Sequence, residues 1–209
     1  FLALAIGIPV GVAAAARQGR LADTAIMSAA QLTKSVPDFW LGVIFILVFA
    51  LRLHWFPAGD FPGWRAGALP AARALLLPAL ALALPQAAIL ARFTRSATIT
   101  ALRQDYVRTA RAKGLSRAAA LWRHALPNAL IPVVTVAGLL FPLLLSGTVI
   151  VENVFNIPGL GRLLFEAINQ RDLIVVQDLV VILVASVVLV NFAADLLAAR
   201  LDPRLGPGE

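Results

Sequence analysis

Cysteine is absent from the 209-residue chain, which excludes a disulfide framework, thiolate metal sites and a cysteine nucleophile. Histidine is nearly absent: His54 and His124 stand apart, with neither a second histidine nor a carboxylate at ligand spacing, so no metal site is expected. No Gly-x4-Gly-Lys-Ser/Thr occurs, and Pro158-Gly159-Leu160-Gly161 supplies only half of such a loop, so the chain has no P-loop of its own. A clustered Ser/His/Asp set, a His-Glu-x-x-His motif and paired intramembrane aspartates are missing too. That argues against a membrane-embedded enzyme and leaves no catalytic residue and no cofactor to name. Asp172 and Asp178 read as solvated loop charges. Charge itself is scarce, at 14% of residues, against roughly 25% in soluble domains.

What fills the chain is apolar. Hydrophobic residues make up 60% of it and the mean hydropathy is +0.87. They are clustered into stretches near the length of about 20 residues that crosses a bilayer core. Five stand out, at 1–16, 25–51, 74–91, 128–151 and 179–199. The implied fold class is all-α, a polytopic transmembrane helical bundle forming a single domain over 1–209. The first stretch starts at Phe1, is short for a span and lacks the basic flank of a signal peptide; the sequence is therefore expected to be a fragment whose N-terminal part is missing, with five spans in it.

The second stretch, read as one helix, would be roughly 40 Å long. Its first part, with Gln31, Lys34 and Ser35, is expected at the interface, and Pro37 is expected to kink or restart it. A loop rich in Gly, Pro and Trp is expected over 52–73. Prolines at 78, 85, 132 and 142 suit either a kinked pathway or ordinary packing kinks. Lys34 and Asp195 are expected to reach the headgroups, and Trp40, Trp55 and Trp64 to anchor in the interface.

The net charge of +7 does not point to nucleic acid, because the basic residues sit in loops between the apolar stretches. Loops 17–20, 92–123 and 200–204 hold twelve Lys and Arg; the alternate loops, 52–73 and 152–178, hold five. The positive-inside rule places the first set in the cytoplasm, and the alternation is consistent along all five stretches.

The segment 101–127 is too polar to span and too rich in helix formers for a slack linker. Gly114 is placed to end one helix and Ser116 to cap the next. Beyond that break Leu115, Ala118, Ala119, Trp122, Ala125 and Leu126 recur at helical spacing on one face, with Arg117 and Arg123 off it. Helix, glycine turn, amphipathic helix and proline suit a unit transmitting force from a soluble partner to the spans. They equally suit a basic loop lying on anionic lipid.

These residues resemble the EAA loop of bacterial ABC importer permeases, a pattern of Glu-Ala-Ala, three residues, Gly, nine residues and Ile-x-Leu-Pro. Aligned on Gly114, the first positions are Arg108, Thr109 and Ala110, and the last are His124, Ala125, Leu126 and Pro127. The glycine, one alanine and Leu-Pro match; Arg108 replaces the glutamate and His124 the isoleucine. The text from Asp105 to Leu115 resembles the dipeptide/oligopeptide/nickel branch, where that glutamate is often replaced. Ser35-Val36-Pro37-Asp38-Phe39 is similar to the opening of a core helix in that branch, 151–162 to its last outer loop, and Leu201-Asp202-Pro203-Arg204 to its terminus. Together they favour the B-type subunit, and that resemblance implies one span and an outer loop ahead of the region seen here, six spans in full.

The resemblance implies a type I importer permease of the bacterial inner membrane that carries peptides or related solutes. Its expected partners are a second homologous permease subunit, two P-loop ATPase subunits, an external solute-binding protein and the lipid bilayer, with no nucleic acid. It further implies that 101–127 couples to an ATPase through Asp105, Arg108, Thr109, Ala110, Arg111, Lys113, Gly114, Leu115, Leu126 and Pro127, some of the basic residues pairing with its acids. The alternative is a secondary transporter working without ATP, which would usually show pseudo-symmetric repeats and midplane ion-binding groups; no repeat between the halves is seen.

Overall fold

A computed structural model describes residues 1–201; the terminal residues 202–204 that enter the family resemblance, including basic Arg204, lie outside it. Among the described residues the regular structure is helical throughout. The helices are α1 (Leu2–Ala16), α2 (Leu21–Ser35), α3 (Asp38–Phe45, prolonged by a π-helical segment Ile46–Arg52) and α4 (Ala68–Leu102). After them come α5 (Asp105–Ala112), α6 (Arg117–Ala120), α7 (Leu126–Leu139), α8 (Phe141–Val154), α9 (Leu160–Gln170) and α10 (Leu173–Leu201).

By length and composition α4 and α10 each suffice to cross a membrane. Two further spans arise if α2–α3 and α6–α8 are each taken as one broken span, bent by 98° and 43°; α1 is apolar but shorter. Each of the five apolar stretches is thus helical, and two of them are broken. The first break falls at Val36-Pro37, where the proline cannot continue α2. The second falls at Leu140, two residues before Pro142, which leaves the Gly138 carbonyl without its helical donor.

α4 is the hub, packed against α1, α2, α3, α7 and α8. Its 35 residues reach about 52 Å, well beyond the 74–91 stretch. The helix starts inside the expected loop 52–73 and runs on past Arg92 and Arg95. Pro78 and Pro85 lie buried within it without ending it. α1 approaches α4 so closely that side chains are excluded: a Cβ on Gly7 would stand 2.8 Å from the Ala87 carbonyl oxygen, and one on Gly11 2.5 Å from that of Ala91. Between lipid-solvated helices there is little hydrophobic drive to associate, and small residues four apart allow the backbone contact that replaces it.

α2 packs against α4 and stands at 98° to the α3 segment beyond Pro37. It runs along α4, with Asp23 on Arg95 at one end and Thr33 beside Leu84 and Ala88 at the other. The reason is side-chain chemistry: Asp23 is buried and accepts from Arg95 Nε and Nη2, both at 2.6 Å, and from the Gly19 amide at 3.1 Å. Gln31 bonds Arg92 one turn back along α4.

The loops separate by charge count. The turn 17–20 meets the end of α4 that carries Arg95. At the other end the loop before α4 meets the α8–α9 loop, through the Asp60 amide on the Phe155 carbonyl at 3.2 Å and an Asn156–Asp60 hydrogen bond.

Candidate functional site

The segment after α4 folds back on the bundle through a single apolar contact. In α5 Val107 is fully buried, among Ala101, Ala120, Ala125 and Ala129, while most of the helix faces out. Asp105 opens α5, where a carboxylate suits the helix dipole, and lies 3.6 Å from Arg108 with both side chains exposed. Such a pair is screened by water and holds little. Arg108, Thr109, Arg111 and Lys113 are exposed and Ala110 is half-buried.

Gly114 then turns the chain with φ +95, a conformation that costs a side-chain-bearing residue about 1–2 kcal/mol. Its amide reaches the Arg111 carbonyl at 3.0 Å and the Leu115 amide that of Ala110 at 3.3 Å, closing α5. Leu115 is half-buried, and Ser116 caps α6 by accepting from the Ala119 amide at 3.2 Å. The expected sequence of helix, glycine turn and capped helix is what the chain adopts.

Pro127 does not interrupt the helix. α6 runs through a π-helical turn, Leu121–Ala125, straight into α7. The π turn stands just ahead of Pro127, whose missing amide would otherwise have bonded the Arg123 carbonyl. Leu126 is half-buried there and Pro127 exposed. The extra residue rotates the helix beyond it by about 100°, but the departures from the expected stripe lie ahead of or within the turn, Ala125 being buried and Leu126 half-buried as the stripe expects. Ala120, Leu121 and Ala125 face inward, whereas Ala118 is exposed and Trp122 is 59% exposed.

A polar clasp ties α5 to α7. Asn128 Nδ2 donates to Tyr106 Oη at 3.1 Å and to the His124 carbonyl at 3.0 Å; Tyr106 Oη donates to that same carbonyl at 3.5 Å. Tyr106 and Asn128 also line a cleft of about 540 Å³ between α4 and α7, with Ser96, Thr100 and Gln104. Displacing α5 therefore acts on α7 and on the cleft together. Neither residue stands out in the sequence, where they sit 22 apart in no shared pattern.

The ten residues thus lie on one outward unit at the basic end of the bundle. Arg103, Arg108, Arg111, Lys113, Arg117 and Arg123 are all exposed there, with Asp105 the one acid between α4 and α7. Such a surface fits an acidic partner.

At the other end the half-phosphate-loop text has a structural role. Glu152 accepts from the Arg162 amide at 2.9 Å, and a Cβ on Gly159 would collide with that carboxylate. Arg162 goes on to bond Glu166 at 2.8 Å and Asn156. The glycines cradle the chain's own carboxylate at the start of α9. Among the described residues no group of acids and histidines that would hold a metal ion occurs.

Residues 7–207 match the profile of a family described as "Binding-protein-dependent transport system inner membrane component". The chain is 45% identical over 208 residues to a putative peptide transport system permease protein of Brucella abortus (strain 2308), covering 98% of this chain and 66% of the relative. It is 41% identical to the di/tripeptide transport system permease protein DppB of Pseudomonas aeruginosa, covering 95% and 65%. It is also 41% identical to the oligopeptide transport system permease protein AppB of Bacillus subtilis, covering 98% and 65%. The chain therefore spans just under two thirds of the length of these relatives. The fold is similar to that seen in inward-facing conformations of the MetNI methionine ABC transporter, with TM-score 0.73 and 21% identity, covering 97% of this chain and 88% of that one.

Proposed function

Because the chain belongs to the family of binding-protein-dependent transport system inner membrane components, we propose that it is the membrane-spanning part of a permease subunit in an ATP-driven importer of peptides or related small solutes. The relatives' names supply the solute class, and the exposed basic unit 101–127 supplies the mechanism. On this reading the chain hydrolyses nothing. ATP is turned over on two separate P-loop ATPase subunits, an external binding protein delivers solute, and a second similar permease completes the pathway.

The observation that carries the reading is the construction of the unit itself. α5 and the Gly114 turn present a basic surface outward, while Val107 and the Tyr106–Asn128–His124 clasp tie that surface to α4 and α7. A partner that moves α5 by a few ångströms moves the bundle with it. A loop merely resting on lipid has no need of the clasp, and a transporter working without ATP has no need of the docking surface.

The test is co-purification of the tagged full-length protein from native membranes in mild detergent, with Gly114→Trp beside it. A Cβ at Gly114 meets nothing within 4 Å, so the substitution disturbs the turn and its outward surface rather than the core. The expected result is a second multi-span permease and one or two P-loop ATPases with the wild type, and weakened or lost ATPase with Gly114→Trp. A chain that purifies alone, where a known ABC importer stays assembled, overturns the reading and returns the secondary transporter.

A further inference from the structure

Between α1, α2 and α4 lies an open recess of about 250 Å³ that the coupling function leaves unexplained. Its floor runs from Leu84 to Ala91 of α4, where alanines keep it low. Ile6 and Val10 stand on the α1 side, and Ala30 and Thr33 on the α2 side. The lining side chains are apolar except Thr33, whose hydroxyl is already spent on the Ala29 carbonyl at 2.9 Å. They offer nothing to hold water or a polar solute. Left empty, the recess would forfeit dispersion contacts on every wall.

Depth and charge point to what fills it. Leu84 to Ala91 covers about 10 Å along α4, and Arg92 follows at once. The recess therefore starts at the level where the charges start and ends within the apolar stretch, inside one bilayer leaflet of about 15 Å. That is the space of an acyl chain. Gly7 meets Ala87 and Gly11 meets Ala91, so α1 and α4 run in the same direction and Arg17 closes α1 at the charged end. Ile6, Val10, Ala13 and Arg17 follow one another at helical spacing on one face.

The Arg17 side chain folds back along that face, its Nη1 donating to the Ala13 carbonyl at 3.2 Å. The guanidinium is thereby held about one helical turn beyond Val10. Among the described residues no acid pairs with it or with Arg20, which is exposed in the same turn. Asp23, the one acid in residues 1–37, is buried on Arg95 and leaves no uncompensated negative charge there.

We propose that the recess holds an acyl chain of an anionic phospholipid whose phosphate is received by Arg17, with Arg20 beside it. The chain supplies the apolar contacts that the walls lack, and the guanidinium donors meet the phosphate oxygens. The inference goes beyond the importer reading and does not rest on it.

The experiment uses the full-length protein purified in mild detergent and titrated with phosphatidylglycerol or with phosphatidylcholine of the same acyl chains, bound lipids being counted by native mass spectrometry. The wild type is expected to hold one phosphatidylglycerol about tenfold or more tightly than phosphatidylcholine. Arg17→Gln is expected to weaken phosphatidylglycerol about fivefold, the scale of one basic residue at an anionic surface, and to leave phosphatidylcholine unchanged. Ala30→Phe, which fills the recess, is expected to lower the count of tightly held lipids by one. Arg17→Gln changes an exposed side chain, so the comparison stands even if Ala30→Phe gives no monodisperse protein. Equal affinity for the two lipids, or wild-type affinity in Arg17→Gln, overturns the proposal. So does an unchanged lipid count in Ala30→Phe, the result if another segment of the full-length chain or a second subunit covers the recess.

Discussion

Asp23 and Arg95 join two helices whose residues are 72 positions apart, and burial sets the strength of the pair. The carboxylate is 5% exposed and the guanidinium 29%, so removing one partner leaves a charge stranded. Asp23→Ala is expected to cost about 3–5 kcal/mol, and the double change Asp23→Ala/Arg95→Met much less than the two single changes added. Thermal unfolding of the detergent-solubilised protein through the four-member cycle reads this directly; additive losses would show that the pair is not coupled. Gly159 offers a sharper case at the same scale. Its φ of −127 is open to any residue, so backbone conformation alone predicts that alanine is tolerated. The carboxylate of Glu152 in the way of a Cβ predicts the opposite. Gly159→Ala is expected to loosen α9, seen as faster amide exchange over 160–170, whereas Gly63→Ala, with φ +79 and open space around it, leaves α9 untouched.

At the scale of the helix, what was legible was local. Pro37 breaking its stretch, Gly114 turning and Ser116 capping all depend on residues within a turn of one another, and each is found. The length of α4 and the register of α6 were not legible in the same way. The hydropathy of 74–91 marks where α4 is packed inside the bundle, but the helix continues through Arg92 and Arg95 because Asp23 and Gln31 of α2 receive those two charges. That contact across 61 to 72 residues leaves no periodic trace. The stripe 115–126 took one helix face as apolar throughout; Ala125 and Leu126 keep to it, whereas Ala118 and Trp122, ahead of and within the π turn, are exposed. A signal for the α1–α4 contact was present, since Gly7 and Gly11 are small residues four apart in an apolar helix, though nothing in the sequence says which helix they meet. Leucine at Gly7 or Gly11 is expected to abolish a monodisperse species on size exclusion, because the atoms a Cβ meets include backbone carbonyls that cannot swing aside. Leucine at Gly19, where nothing lies within 4 Å, is expected to leave the profile intact apart from mild strain.

For the whole molecule the governing asymmetry is between its two ends. Twelve basic residues against five predict which loops stay in the cytoplasm, and the fold gathers the described members of each set at opposite ends: 17–20 with Arg95, and 52–73 with the α8–α9 loop. What the charge count cannot supply is which helix faces meet, so the family was readable while the Tyr106 clasp was not. Cysteine absence turns this asymmetry into a measurement. Lys113→Cys, on the exposed turn beside Gly114, and Trp64→Cys, 69% exposed in the opposite loop, each place one thiol on an otherwise unreactive chain. In intact cells a membrane-impermeant maleimide is expected to label Trp64→Cys and spare Lys113→Cys; in inside-out vesicles the pattern is expected to reverse. Both positions lie clear of the packed core, so the labelling reports side rather than stability. If both label from the same face, α4 does not cross the bilayer. If the pattern is the mirror image, the basic unit 101–127 faces away from ATP, and a coupling role for Gly114 and its neighbours falls with it.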